Sequence, residues 1–315
     1  MTARFLHGLE EFEPRNGSVV TVGTFDGIHR GHQAIFADVR ETARQMKLNP
    51  VLVTFHPHPR VVVTPSNVPM LLTSLEEKKR FVPDFFDGQV VILEFNEALK
   101  NMSAEEFVRD VLVARIHTKQ LIVGYDHALG RNREGTVEQL KAFGEQYGFG
   151  LDVVGPVVIH DKPVSSSRIR DLLEEGNLTL ALELLGHEYA ICGTVERGIG
   201  LGRKIGYPTA NIRYSHRKLL PREGVYACWV EVDGASYPGM MFIGHNQFNP
   251  EDKVSVEANI FDFDRDIYNE DIVVYPTCYV RESRHFATTD ELVAQLAEDK
   301  KAVLNVIEKG EKACK

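Results

Sequence analysis

The sequence predicts an α/β domain built on a parallel, doubly wound sheet of the Rossmann-like kind, followed by a smaller antiparallel β-barrel with a terminal helix. Three observations predict it. Short apolar, β-branched segments alternate with segments of helical period as far as residue 185, which is the pattern of βαβ units. Past Gly186 the helical period gives way to short strand-like pieces divided by turn residues, the pattern of an antiparallel barrel or sandwich. A chain of 315 residues is long enough for two domains of ordinary size. The expected division is residues 1–185 and 186–315.

The first strands are expected at Val19–Val22, Val51–Phe55, Val90–Leu93, Leu121–Val123 and Leu151–Val154. Each is short, apolar and rich in β-branched residues, as in strands buried on both faces of a sheet. Helical spacing fills the gaps at His32–Gln45, Ser74–Phe81, Ala104–Ala114 and Thr136–Tyr147. A helical pair follows, Ser167–Glu175 and Leu178–Leu185, broken at Gly176-Asn177. The barrel strands include Val225–Val232, Val254–Ile260 and Ile272–Tyr275, with turns at Asp233-Gly234 and Asn249-Pro250. The last helix is expected over Thr289–Glu308, capped by Thr289 or Asp290, with Leu292, Leu296, Val303 and Val306 on its apolar side.

Composition narrows the setting. Hydrophobic residues make up 43% and charged residues 26% of the chain, as in soluble globular proteins. No run of about 18 apolar residues occurs, so no membrane span is expected. The first residues lack the apolar core of a signal peptide, which points to the cytoplasm. A net charge of −9 argues against nucleic acid as a partner. Cys192, Cys228, Cys278 and Cys314 form no C-x-x-C pair, and free thiols are expected. The sequence reveals nothing of oligomeric state.

The chemistry begins at Gly23–His32. A β-branched run stops at Gly23, turns through Phe25-Asp26-Gly27, and starts a helix carrying His29 and His32. Their spacing puts both rings on one helical face. They sit at the end where unpaired N–H groups and the positive dipole end attract phosphate. Glycines at Gly23, Gly27 and Gly31 let the backbone turn sharply and approach a ligand. The order G-x-F-D-x-x-H-x-G-H resembles the nucleotidyltransferase superfamily, and best the adenylyltransferase half of the bacterial bifunctional riboflavin kinase/FAD synthetase family.

Three more segments fit that family. Thr54–Pro59 resembles its T-F-x-P-H-P, which brings Phe55 to the flavin side of the site; the prolines there favour extended backbone over a metal role for His56 and His58. Val123–Gly130 resembles G-x-D-F-x-F-G, in which the aspartate, here Asp126, is a site residue. His127-Ala128-Leu129 replace the usual basic and aromatic residues, and Arg131 and Arg133 follow. Val164-Ser165-Ser166-Ser167-Arg168-Ile169-Arg170 resembles I-S-S-T-R-I-R. Read alone, that run is also an ordinary serine N-cap with two exposed arginines. The resemblance implies in-line attack by the phosphate of FMN on the α-phosphorus of ATP, giving FAD and pyrophosphate. It places Gly23, Phe25, Asp26, Gly31, Ser165, Ser166 and Ser167 around ATP, with His29, His32 and Arg168 on its phosphates. A phosphate nucleophile is already charged, so positioning and charge stabilisation carry the rate.

A second glycine-dense stretch runs from Gly193 to Asn211 and lacks the G-K-[S/T] of a Walker loop. Its order G-x-V-x-x-G-x-x-x-G-R-x-x-G-x-P-T-A-N resembles the riboflavin kinase signature. The resemblance implies ATP contacts at Gly198, Gly202 and Arg203, and a divalent metal, Mg²⁺, at Thr209 and Asn211. It also implies that Glu257 takes the proton of the riboflavin 5′-hydroxyl. By periodicity alone Glu257 is a solvent-facing strand residue. Asn259 stands where the family has histidine, and Ile243–Phe248 lacks the family's Pro-Thr. Arg281 and Phe286 fall in a segment resembling R-x-E…F near the flavin. The expected partners are riboflavin, FMN, FAD and ATP.

Overall fold

The computed structural model describes residues 3–13, 16–131, 134–198, 200–245 and 254–308. The chain divides into two compact units, Met1–Met70 with Lys78–Ser165 and Leu71–Glu77 with Ser166–Lys315.

The first unit contains β1 (Arg4–His7), β2 (Ser18–Val22), α1 (Arg30–Met46), β3 (Asn49–His56), α2 (Pro59–Val63), most of α3 (Leu75–Phe85), β4 (Gln89–Glu94) and α4 (Glu97–Asn101). It continues with α5 (Ala104–Glu106), which runs on into a wider π-helical turn at Phe107–Val113, then β5 (Thr118–Gly124), α6 (Val137–Tyr147), β6 (Gly150–Val154) and a small hairpin, β7 (Val158–Ile159) and β8 (Lys162–Pro163). The six-stranded sheet has the order β1-β4-β3-β2-β5-β6, with parallel pairing throughout. The order reverses beside β2, and ligands of such sheets bind outside the carboxyl ends of the strands at that point. The Gly23–His29 turn leaves β2 there.

Every residue of β2 is buried, and β3, β4 and β5 are buried over their central residues. Two findings depart from expectation. β6 is an edge strand with exposed Asp152 and Val153, so it is not buried on both faces. β1 adds a strand beyond β4 that periodicity did not mark, because only Leu6 of its four residues is buried.

The second unit opens with α7 (Ser166–Glu175) and α8 (Leu178–Leu185). Its strands are β9 (Ile191–Glu196), β10 (Ala210–Tyr214), β11 (Gly224–Val232), β12 (Ala235–Gly244), β13 (Ser255–Ile260) and β14 (Asp271–Arg281), with the short helix α9 (Leu201–Lys204) after β9 and α10 (Thr289–Glu308) at the end. The strands close a barrel in the order β10-β13-β12-β11-β14-β9, of antiparallel pairs throughout. Asp233 and Gly234 have φ of 50° and 77°, and join β11 to β12 by the two-residue turn that suits strand twist.

Thr288, not Thr289 or Asp290, caps α10: its Oγ1 accepts from Glu291 N at 3.3 Å. The helix packs Val303 against Met240, Phe261 and Cys278, with Leu296, Leu304, Val306 and Ile307 alongside. Three of the four residues expected on its apolar side, Leu296, Val303 and Val306, lie in this cluster, and Leu292 is half-buried outside it. Cys192 and Cys228 are free thiols, whereas Cys278 is disulfide-bonded, contrary to expectation.

Leu71–Glu77 belongs to this second unit through a buried polar cluster. Lys218 Nζ donates to Glu77 Oε2 at 2.7 Å and to Leu72 O at 2.6 Å, while Glu77 Oε1 accepts from Cys192 N at 3.1 Å. Both charged side chains are 1% exposed. Removing one partner leaves the other charge uncompensated, so Lys218→Ala is expected to cost about 3–5 kcal/mol. Urea unfolding followed by the fluorescence of Trp229, the chain's single tryptophan and a residue of the same unit, measures it. An unchanged midpoint would contradict this.

Candidate active sites

In the first unit the strand-to-helix turn builds the site. α1 begins at Arg30, earlier than expected, and His29 is its cap residue, in extended backbone with φ −63° and ψ 170°. His32 is in the first turn. The two imidazoles stack with centroids 3.6 Å apart and planes 17° from parallel. Phe25 backs them, its ring edge-on to His32 at 5.3 Å and to Phe36 at 5.0 Å. That places Phe25 and Ile28 at φ of 47° and 45°, a conformation non-glycine residues enter at a cost of about 1–3 kcal/mol each. Two glycines make room. A Cβ at Gly23 would lie 2.9 Å from the Phe25 ring, and one at Gly31 3.1 Å from His29 Cε1.

The turn is buried: Asp26 is 4% exposed and His29 6%. Burial holds His32 well below the usual imidazole range, and the charges of His29 and Lys78 push the same way. The shift favours the neutral ring, and among the described residues its Nδ1 has no hydrogen-bond partner. A negative charge placed beside the ring would push the other way, toward the imidazolium.

Sequence reasoning missed Lys78, which lies in a helix that reads as plain scaffold. It reaches the end of β2 from α3 and donates to Thr24 O at 2.6 Å and Thr54 Oγ1 at 3.2 Å. Burial draws its ammonium down to about 8, against the opposing pull of Asp26.

Asp126 is exposed, just beyond β5, and a Cβ on Gly124 would stand 3.5 Å from both Asp126 Oδ1 and Ile35 Cδ1 of α1. Phe55 is half-buried at the end of β3, 5.6 Å from the Phe95 ring. Ser165 follows Val164, whose carbonyl lies 3.8 Å from where a Gly31 Cβ would be. Ser166, Ser167 and Arg168 form the first turn of α7 and belong to the second unit. Arg133 lies outside the described residues.

In the second unit, β10 and β13 bring Asn211 opposite Glu257 in the strand register. Thr209 Oγ1 donates to Glu257 Oε2 at 3.2 Å, and Ser255 Oγ stands 3.4 Å from Glu257 Oε1. Glu257 is half-buried, not the solvent-facing residue that periodicity describes. Burial raises its carboxyl above the ordinary range, and the bonds from Thr209 and Ser255 oppose the rise only in part. Asn259 is spent on structure, its amide donating to Pro208 O at 2.6 Å. Gly198 passes so close to the Asn211 amide that a Cβ there would collide with it. Gly200, at φ 72°, leads into α9, where Gly202 lies against Tyr207 O and Arg203 is exposed.

Arg281 makes a bidentate pair with Asp299 of α10, Nε to Oδ1 at 2.8 Å and Nη2 to Oδ2 at 2.7 Å. Its guanidinium carbon lies 5.9 Å from the Phe286 ring centroid. The geometry ties the end of β14 to α10. Of the segment lacking Pro-Thr, residues 246–248 lie outside the described residues, and His245 Nε2 stands 3.6 Å from Glu223 Oε1. Among the described residues no three His, Cys, Asp or Glu side chains gather as a metal cage.

A parallel sheet with a histidine-bearing strand-to-helix turn, and a closed barrel with a carboxylate beside a glycine-rich loop, are features of nucleotidyltransferase-type and flavokinase-type domains. The comparisons agree. The FAD synthetase family model matches residues 11–168 and the riboflavin kinase family model residues 185–307. The chain is 36% identical over 299 residues to the bifunctional riboflavin kinase/FMN adenylyltransferase of Escherichia coli K12, covering 94% of each chain. It is 35% identical over 298 residues to the protein of the same name from Pseudomonas fluorescens, covering 94% of this chain and 95% of that one. A crystal structure described as a macrolide-efflux protein from Streptococcus pneumoniae superposes with a TM-score of 0.84 at 30% identity, over 97% of this chain and 99% of that one. No helix among the described residues is long and apolar enough to cross a membrane. The chain belongs to the family of bifunctional riboflavin kinase/FMN adenylyltransferases.

Proposed function

We propose that the halves 1–185 and 186–315 carry the family's two reactions in turn, in the cytoplasm: phosphorylation of riboflavin by ATP in the barrel half, then adenylylation of FMN by a second ATP in the sheet half. One observation carries this reading. The two family matches fall in sequence on one chain, and within each lies a titratable group shifted by burial, His32 in the first turn of α1 and Glu257 on β13 opposite Asn211.

In the adenylylation site the FMN phosphate attacks the α-phosphorus of ATP and pyrophosphate leaves. The N–H groups at the start of α1, with His29 and His32, bind the phosphates and offset the charge gathering there. Arg168 serves the departing pyrophosphate, with Ser165, Ser166 and Ser167 as donors to phosphate oxygens. Asp126 and Phe55 serve the flavin. Because the nucleophile carries its own charge, the step needs neither a general base nor a covalent enzyme intermediate.

In the kinase site Glu257 accepts the proton of the riboflavin 5′-hydroxyl as that oxygen attacks the γ-phosphorus. Its raised carboxyl makes it a stronger base than an exposed glutamate. Gly198, Gly202 and Arg203 serve the ATP phosphates, and Arg281 and Phe286 line the flavin end. Thr209 and Asn211 offer a hydroxyl and an amide oxygen, hard donors that fit Mg²⁺, beside the Glu257 carboxylate that takes the proton. When bound there, the ion neutralises phosphate charge.

The test is incubation of the purified chain with riboflavin, ATP and MgCl₂, with chromatography of the flavins. FMN is expected first, then FAD at its expense. FMN as the final product would remove the adenylylation site, and unchanged riboflavin would leave only a flavin-binding protein.

A further inference from the structure

We propose that Lys78 is a positioning residue for adenylyl transfer, fixing the Gly23–Gly27 turn and, through Phe25, the stacked rings of His29 and His32. The proposal rests on the adenylylation reading of the first unit. None of the motifs read from the sequence contains this residue.

Lys78 is only 8% exposed, and lysine is seldom buried without a partner that needs its charge. Its ammonium meets the chain where β2 ends. Thr24 O receives Lys78 Nζ at 2.6 Å and Thr54 Oγ1 at 3.3 Å, and Nζ reaches Thr54 Oγ1 at 3.2 Å, so the three groups form a closed triangle. Thr54 itself is fully buried. The triangle pins the carbonyl immediately before Phe25, the residue held at φ 47°. A strained residue persists only where its surroundings over-determine it. Phe25 in turn is the surface on which His32 rests.

The same ammonium also acts on the charges of the turn. The buried Asp26 carboxylate favours it, and its charge adds to burial and to His29 in disfavouring the imidazolium of His32. Through one side chain α3 therefore holds the shape of the turn and adds to the burial that disfavours a charged His32.

The test uses the full chain and three variants, with riboflavin phosphorylation measured in each as an internal control. Lys78→Met is expected to lower kcat for FAD formation from FMN by about 10–100-fold, with KM for ATP changed by less than about threefold. In the same variant the His32 imidazole, followed by NMR, is expected to titrate at a higher pH, since a nearby cation has gone. A role in packing alone would leave that titration in place. Thr54→Val removes one corner of the triangle with little change of shape, and is expected to slow FAD formation by about 3–10-fold with FMN formation unchanged. FAD formation within about threefold of wild type in Lys78→Met, or a fixed His32 titration, overturns the proposal. If Lys78→Met loses riboflavin phosphorylation as well, Thr54→Val decides, and wild-type FAD formation there overturns it. His29→Ala separates the two levels. If it keeps FAD formation, the site itself is misread and the proposal falls with it; if it loses FAD formation while Lys78→Met does not, only the proposal falls.

Discussion

His29→Ala is expected to stop FAD formation while FMN accumulates. His29 closes the start of α1 and stacks on His32 at 3.6 Å, so its loss removes one phosphate donor and unseats a second. Removing one preorganised donor from a site of this type costs about 10²–10³ in rate. The imidazole is 6% exposed, and alanine leaves a small void beside a turn that Phe25 and Lys78 still hold. Supplied with riboflavin, ATP and MgCl₂, the variant should yield FMN at the wild-type rate. Supplied with FMN, it should release almost no pyrophosphate. Equal loss of both activities would contradict separate sites.

Glu257→Gln is expected to do the reverse. The amide keeps the shape of the side chain and the approach of Thr209, but it cannot accept a proton. Loss of a general base costs about 10²–10⁴ in rate. Added FMN should still become FAD. The pH profile supplies a second readout. Burial raises the Glu257 carboxyl, so wild-type riboflavin phosphorylation should fall with decreasing pH at values above the ordinary glutamate range, and the variant's residual rate should lack that fall. Stability runs the opposite way. A carboxyl whose folded value is raised binds its proton more tightly in the native state. Ionising it at neutral pH therefore costs folding free energy. The neutral amide removes this cost, so the Tm of the variant at pH 7 should equal or exceed that of wild type. A lowered Tm would mean that lost activity reflects damage to the barrel.

The elements most legible in the sequence were those whose surroundings are uniform. β2 to β5 are buried along most of their length, so their apolar runs stood out. α6 carries its own punctuation, a reciprocal cap between Thr136 and Gln139 and a left-handed Gly148 at its end. β1 and β12 were not legible: one has a single buried residue, and the other opens with Ala235-Ser236-Tyr237-Pro238, a poor strand signal.

The candidate site divides in the same way. The turn and its histidines could be found because they are contiguous, and the chemistry of a helix N-terminus is local. Lys78 could not be found, because a lysine in an amphipathic helix looks solvent-facing until β2 and β3 are placed beside it. Arg281 shows the converse. Its segment resembled a flavin-side motif, and only the packing of α10 revealed Asp299 as its bidentate partner. Glu257 needed the barrel as well, since burial on one side of β13 depends on where β10 runs.

Mixing the two variants tests the central claim most directly. His29→Ala alone should turn riboflavin into FMN and stop there, and Glu257→Gln alone should leave riboflavin unchanged. An equimolar mixture should make FAD from riboflavin, because FMN released by one chain reaches the intact adenylylation site of the other. A mixture that makes no FAD, while each variant keeps its single activity, would contradict two independent sites joined by a free intermediate.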